Sequence, residues 1–429
     1  MRIFLTLLVL GQILMATTID TIDTIEINGV SVPLVYEEDS RLPIVTTQIV
    51  FTNSGSITDT KKGGLAKFSA KVLNEGTAKL GSNAFAEMLE SKAIHISATA
   101  GSETFVMEMS SLKDEYKNSL KYMELLLKDP NYSKESMSKI KTMTLGSLSR
   151  KENDFDYIAG SELKRLMFEG TVLGTPSSGT KESIASIGVS DIKKFIKEHI
   201  VLSRAIIVVG GDISLSEVKK SMKKLLSCLE VGKTQEVAHY EVSKSVKKSI
   251  LKRETEQAYI YFGTPYNMKV DDEEYYKARV ATFILGTGGF GSRLMEEIRV
   301  KRGLAYSAYA RVHMSKSSAY MSGYLQTKLD SMDEAKNTVS EVIQDFVKNG
   351  VTQEELEQTK KFLLGSEPLR VETMSQRLNR TFMDYYKGFE SGHSTNELEK
   401  IKNLKLKDLN KFIKSHKEIL NITYAIVTK

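Results

Sequence analysis

The phrase DIKKFIKEH at residues 191–199 returns as DLNKFIKSH at 408–416, an offset of 217. Each copy leads into a short apolar run, at 205–209 and 422–427. A second pair, KTMTLGS at 141–147 and KKFLLGS at 360–366, ends on the same Leu-Gly-Ser at an offset of 219. The third correspondence is one of pattern: an alternating segment at 104–109 precedes an amphipathic stretch at 114–127, as 319–326 precedes 332–347. Matched order at near-equal spacing marks a duplicated unit rather than chance repeats of one amphipathic phrase. At 429 residues the chain exceeds the size over which a single core grows. The duplication therefore predicts two homologous domains.

Alternating runs such as 44–51 and 258–263 mix with amphipathic helical patterns in both halves. Strands fall in consecutive pairs, which predicts an α+β fold: in each domain an antiparallel sheet packed against helices. The first domain is expected over 20–227 and the second over 253–429, with 228–252 as the linker. Within that linker 230–235 (EVGKTQ) is polar and aperiodic, and 244–248 is rich in Ser and Lys. No low-complexity tract appears, so an ordered crossing is expected rather than a floppy tether.

Residues 1–17 read as a secretory signal peptide: Arg2 supplies the positive start, 3–15 is apolar, and small or polar residues follow at Ala16, Thr17 and Thr18. No later stretch is long and apolar enough to cross a bilayer. The expectation is an exported, periplasmic protein with no integral membrane segment once the signal is removed. Cys228 is the only cysteine, so no intrachain disulfide can form. The net charge of +6 is spread thinly, and with no Trp and no basic stretch interleaved with aromatics the composition argues against nucleic-acid binding.

Three candidate chemistries can be tested on local spacing. Residues 64–71 read GLAKFSAK, and on a helix Lys67, Ala70 and Lys71 share one face. Two ammonium groups repel a cation and a methyl group takes no proton, so this face holds no metal. The six histidines offer no pair spaced i, i+4 beside a carboxylate. Gly286, Gly288, Gly289 and Gly291 fit G-x-G-x-x-G, but the dinucleotide fingerprint follows a strand and 273–285 reads as a helix. Those glycines read instead as a loop near substrate or a helix-to-helix turn. Beyond them, Ser292 is placed to cap a helix running to about Lys301, Gly303 to stop it, and 304–312 to continue as a strand. Such a corner brings Arg299 and Tyr306 toward one point, where a guanidinium and a phenol can donate to a peptide carbonyl or an oxyanion. On the residues alone the plainer reading is favoured: Arg299 complements the helix dipole and Tyr306 is an ordinary strand aromatic.

Gly64-Leu65-Ala66, Asn74-Glu75-Gly76-Thr77 and the stretch 284–306, with Ser292-Arg293-Leu294, Arg299 and Gly303-Leu304-Ala305-Tyr306, resemble the pitrilysin/insulinase family of zinc metallopeptidases. The likeness runs from about Ile25 to Lys429. The family carries G-L-A-H-x-x-E-H, so the resemblance implies that Lys67 and Lys71 replace two His ligands, Ala70 the Glu base, and Ser147 a third, downstream Glu ligand. The chain is most similar to the short two-domain bacterial form, in which one subunit bears the zinc motif and an unlike subunit contributes an Arg and a Tyr from its second domain. The resemblance thus implies half of a clam-like chamber, no cofactor in this chain, and zinc in a homologous motif-bearing partner. It also implies a heterodimer acting on peptides or unfolded protein, with Arg299 and Tyr306 complementing the partner. The alternative class is a catalytically silent homologue serving as chaperone, scaffold or peptide-binding protein.

Overall fold

A computed structural model describes residues 22–429. The signal peptide read at 1–17 lies outside them. Eleven strands build two sheets: β1 (Asp23–Ile27), β2 (Val30–Glu38), β3 (Ile44–Thr52), β4 (His95–Ala100), β5 (Thr104–Leu112), β6 (Ala205–Gly211), β7 (Lys248–Lys252), β8 (Gln257–Pro265), β9 (Ala305–Met314), β10 (Ala319–Lys328) and β11 (Thr423–Thr428). The first sheet has the order β1-β2-β6-β3-β5-β4 and the second β7-β11-β8-β10-β9. Without β1 the two orders coincide strand for strand.

The helices repeat in step: Lys134–Lys151 with Gln353–Gly365, Phe155–Met167 with Met374–Lys387, and Val189–His199 with Leu406–Ser415. Every strand pair is antiparallel except β2 with β6 and β7 with β11. The sheets are therefore mixed, where consecutive strand pairs led us to expect antiparallel ones. The exception has one cause in both halves. The last strand returns only after the whole helical layer, a crossover long enough to enter the sheet parallel to its first neighbour.

One face of each sheet carries that domain's own core: Phe51, Phe105 and Met107 against Met123 and Leu126 in the first, Ile260, Phe262 and Leu325 against Val339, Ile343 and Phe346 in the second. The opposite faces are covered by exchange. From the first half, Leu163, Leu166 and Met167 on the helix Phe155–Met167 pack with Tyr320 and Ala425 of the second sheet. From the second half, Leu378 and Tyr386 on the helix Met374–Lys387 pack with Val35, Val50, Ile206 and Val208 of the first. Glycines in the two sheets make room. A Cβ on Gly210 would lie 2.4 Å from Leu378 Cδ1, and one on Gly263 2.3 Å from Met167 Sδ. Polar ties close each contact: Tyr261 Oη donates to Asp156 at 3.0 Å, Arg377 pairs with Glu37 at 2.5 Å, and Tyr386 Oη donates to Glu103 at 2.7 Å.

Residues 230–247 form no helix or strand, yet they are pinned along their length. Glu230 O accepts from Leu202 N at 3.0 Å, Tyr240 N donates to Ser317 O at 2.8 Å, and Ser243 N donates to Met167 O at 2.7 Å. The buried Arg204 guanidinium donates to Asn53 O at 2.6 Å and to Lys233 O at 3.1 Å. Among the described residues no helix is long and apolar enough to cross a membrane.

Candidate functional site

The motif residues form the helix Leu65–Leu73. Gly64 enters it at φ +87°, and a Cβ there would stand 2.8 Å from both Ile184 Cδ1 and Ser178 O. The buried Asp59 carboxylate accepts from Gly64 N at 3.1 Å and Ala66 N at 3.0 Å, satisfying two donors that the helix start leaves free. At the far end the Asn74 amide donates to Ala98 O at 3.0 Å and accepts from Ala98 N at 2.7 Å, fastening the helix to β4. Glu75 is buried and accepts from Ser82 Oγ at 2.7 Å and Lys139 Nζ at 2.9 Å. Gly76 turns at φ +77°, and a Cβ there would lie 2.8 Å from Phe85 Cβ. The framing residues hold this helix for reasons that need no zinc.

The altered positions are held by new partners. Lys67 Nζ donates to Ser177 Oγ at 2.8 Å, Lys71 Nζ donates to Thr144 Oγ1 at 3.1 Å, and Ala70 is buried. The helix Lys134–Lys151 thus reaches the motif helix through Thr144, one turn before Ser147. Lys67, Lys151 and Lys164 line a cleft of about 380 Å³ together with Asp59, Tyr157 and Ser177. Burial, then the like charges of Lys151, Lys164 and Lys71, hold the Lys67 ammonium below its usual pKa. Burial, then Lys151, does the same to Lys71. Burial pushes Asp59 up to about 7 despite the two N–H groups it accepts. This donor set does not fit zinc: its nitrogens are protonated ammoniums and Asp59 is tied to the helix backbone. Among the described residues no group of three or more His, Cys, Asp or Glu side chains could hold a metal ion.

The second-domain corner is built on two π-helical turns, a distortion often found at functional positions. The helix Tyr275–Thr282 continues as a π turn over Phe283–Thr287, so a helix precedes the glycine run and the nucleotide fingerprint lacks its context. The four glycines divide by role. A Cβ on Gly286 would lie 2.4 Å from Ala310 N, and one on Gly288 2.8 Å from Phe283 O. Gly289 turns at φ +62° in open space and Gly291 also faces open space. Ser292 has N-cap dihedrals, but its hydroxyl donates back to Gly289 O at 2.8 Å and caps no helix N–H, contrary to expectation. The helix begins at Arg293 and widens to a π turn over Glu296–Lys301. Gly303, at φ +62°, ends it with its N–H on Arg299 O at 3.1 Å.

Arg299 and Tyr306 do come together. The Arg299 guanidinium carbon lies 4.2 Å from the Tyr306 ring centroid and 4.5 Å from that of Phe290. Tyr306 is 81% exposed and Phe290 65%. Among the described residues the Arg299 side chain has no hydrogen bond or salt bridge. Its neighbours differ: Arg293 binds Glu355 at 2.6 Å and Gly350 O at 2.8 Å, and Arg302 pairs with Glu297. Phe290 escaped the sequence reading because it sits inside a run read for its glycines.

Family profiles match both parts of the chain: "Insulinase (Peptidase family M16)" over residues 34–181 and "Peptidase M16 inactive domain" over 186–363. A Helicobacter pylori protein named "Non-peptidase homolog YmxG" is 41% identical over 428 residues, covering 100% of this chain and 99% of that protein. The chain belongs to the M16 (insulinase) peptidase family. A Bacillus subtilis relative, "Uncharacterized zinc protease YmxG", is 25% identical over 77% of this chain and 80% of its own length. Among solved structures, a peptidase M16 inactive domain from Pseudomonas fluorescens superposes with a TM-score of 0.87 at 21% identity, covering 95% of this chain and 97% of that one. A Helicobacter pylori protease superposes at 0.83 with 14% identity, covering 96% and 100%. These neighbours share the two-domain M16 fold. With Lys67, Ala70 and Lys71 at the motif positions, the chain is a non-peptidase M16 homologue.

Proposed function

We propose that this chain is the non-catalytic subunit of an exported, periplasmic heterodimeric zinc metallopeptidase. Its partner is a homologous M16 chain that bears H-x-x-E-H and its zinc, and this chain supplies Arg299 and Tyr306. One observation carries the reading: Arg299 lies against two exposed aromatic rings, and among the described residues its side chain has no hydrogen-bond acceptor. Its neighbours Arg293 and Arg302 are tied to carboxylates, and among the described residues Arg299 is not. An arginine kept for a ligand is oriented and left open. Its N–H groups and the Tyr306 hydroxyl can donate to a peptide carbonyl, and more strongly as charge builds on that oxygen. Tyr306 sits on β9, the outer strand of its sheet, and the stretch of β9 before Ala310, where the π turn packs, can accept a peptide as an added strand. Four domains from two such chains would enclose the substrate. A purely scaffolding or chaperone role leaves the open guanidinium without a purpose.

The test is co-purification with the motif-bearing homologue, followed by peptide hydrolysis assays of each chain alone and of the pair. The pair is expected to cleave and either chain alone to be nearly silent. A partner that cleaves as well alone as in the pair overturns the proposal.

A further inference from the structure

The cleft beside the motif helix has a charge imbalance that the proposed role of the corner does not use. Its walls carry Lys67 from the motif helix, Lys151 from the end of the helix Lys134–Lys151 and Lys164 from the helix Phe155–Met167. None of the three ammoniums has a salt bridge among the described residues. Lys67 donates only to the neutral Ser177 hydroxyl, and Lys151 lies 4.6 Å from the centroid of the Tyr157 ring. Among the described residues lining the cleft the one acidic side chain, Asp59, has both oxygens engaged by backbone N–H groups. Burial raises its pKa to about 7, so it offers less than a full counter-charge near neutrality. Three like charges gathered in a recess, with Lys151 and Lys164 both felt by Lys67, raise the energy of the empty cleft, and a bound anion removes that cost.

We propose that this cleft is a carboxylate-binding site that recognises an acidic side chain or the free C-terminus of a peptide. The volume of about 380 Å³ exceeds what a lone inorganic ion fills, and Val172, Leu173 and Pro176 add an apolar wall beside the lysines. That combination suits a carboxylate attached to an apolar stem. Only the peptide identity of the ligand rests on the function proposed above, because the site lies wholly within this chain.

The test uses the full chain alone, so it is independent of any partner. Binding is measured by fluorescence anisotropy with three labelled peptides of one apolar sequence. The first has an internal Glu and an amidated end, the second no acidic residue and a free C-terminus, and the third neither carboxylate; inorganic phosphate serves as competitor. One or both carboxylate peptides should bind, the uncharged peptide should not, and added salt should weaken the binding. Which of the first two binds identifies the source of the carboxylate. Lys164→Gln, at an exposed helix position, and Lys67→Met should each weaken binding about tenfold. Equal binding of all three peptides, no binding at all, or phosphate competing as strongly as carboxylate overturns the proposal. So does unchanged affinity in Lys164→Gln, which stays informative should Lys67→Met fail to fold.

Discussion

Lys67 and Lys71 are more than missing histidines. Each ammonium has acquired a hydroxyl partner, Ser177 and Thr144 respectively. Restoring the motif by Lys67→His, Ala70→Glu and Lys71→His should therefore not yield a good zinc protease. The third ligand position, read at Ser147, still lacks a carboxylate, so the site would remain one protein ligand short. Metal analysis should find zinc well below one per chain and assays no efficient hydrolysis by the variant alone; a stoichiometric, active zinc site would contradict this.

Asp59 makes a second prediction at this scale. Its folded pKa, raised by burial to about 7, exceeds the unfolded value of 3.8. The folded state therefore holds the proton more tightly. The stability this contributes is fully present below the unfolded pKa, declines as pH rises toward 7 and is flat above. Urea midpoints across that range should show the stability of the wild type falling relative to Asp59→Asn; a pH-independent difference would remove Asp59 from the account. The motif substitution was legible because its residues are local. Asp59, Thr144 and Phe290 were not, because what makes them matter is contact with side chains or backbone placed by the fold.

At the scale of elements, the glycine run shows what a motif alone leaves open. Its spacing fits a nucleotide fingerprint, and the preceding helical pattern was enough to reject it. Which glycines pack and which are free depends on β9 lying against the π turn, a contact between segments the pattern does not join. Gly286→Ala should destabilise by about 1–3 kcal/mol, since its Cβ would meet the backbone of Ala310 at 2.4 Å. Gly291→Ala, facing open space, should change stability by under about 0.5 kcal/mol. Chemical denaturation of the two variants compares them directly, and equal midpoints would contradict the packing role of Gly286. The duplication was readable in helices such as 191–199 and 408–416, where amphipathic phrases survive. The parallel pairs β2–β6 and β7–β11 were not, because each joins opposite ends of a domain.

Across the whole molecule the two halves complete each other. Leu163 and Met167 of one half and Leu378 of the other are buried against the opposite sheet, each contributing about 1.5–3 kcal/mol. The pinned crossing at 230–247 belongs to the same construction. Two halves tied together in this way and presenting Arg299 beside the exposed Tyr306 fit the proposed role of completing another chain's site. The measurement that tests this most directly is steady-state peptide hydrolysis by the assembled pair carrying Tyr306→Phe or Arg299→Ala, with assembly verified by size. Because Tyr306 is exposed and the half-buried Arg299 side chain has no hydrogen bond or salt bridge among the described residues, folding and pairing should be nearly unchanged. Loss of one donor to the transition state should lower kcat by about a hundredfold, near 3 kcal/mol, whereas a donor that only holds substrate would raise KM with kcat intact. Unchanged kcat and KM in both variants, with the pair intact, would contradict the central claim.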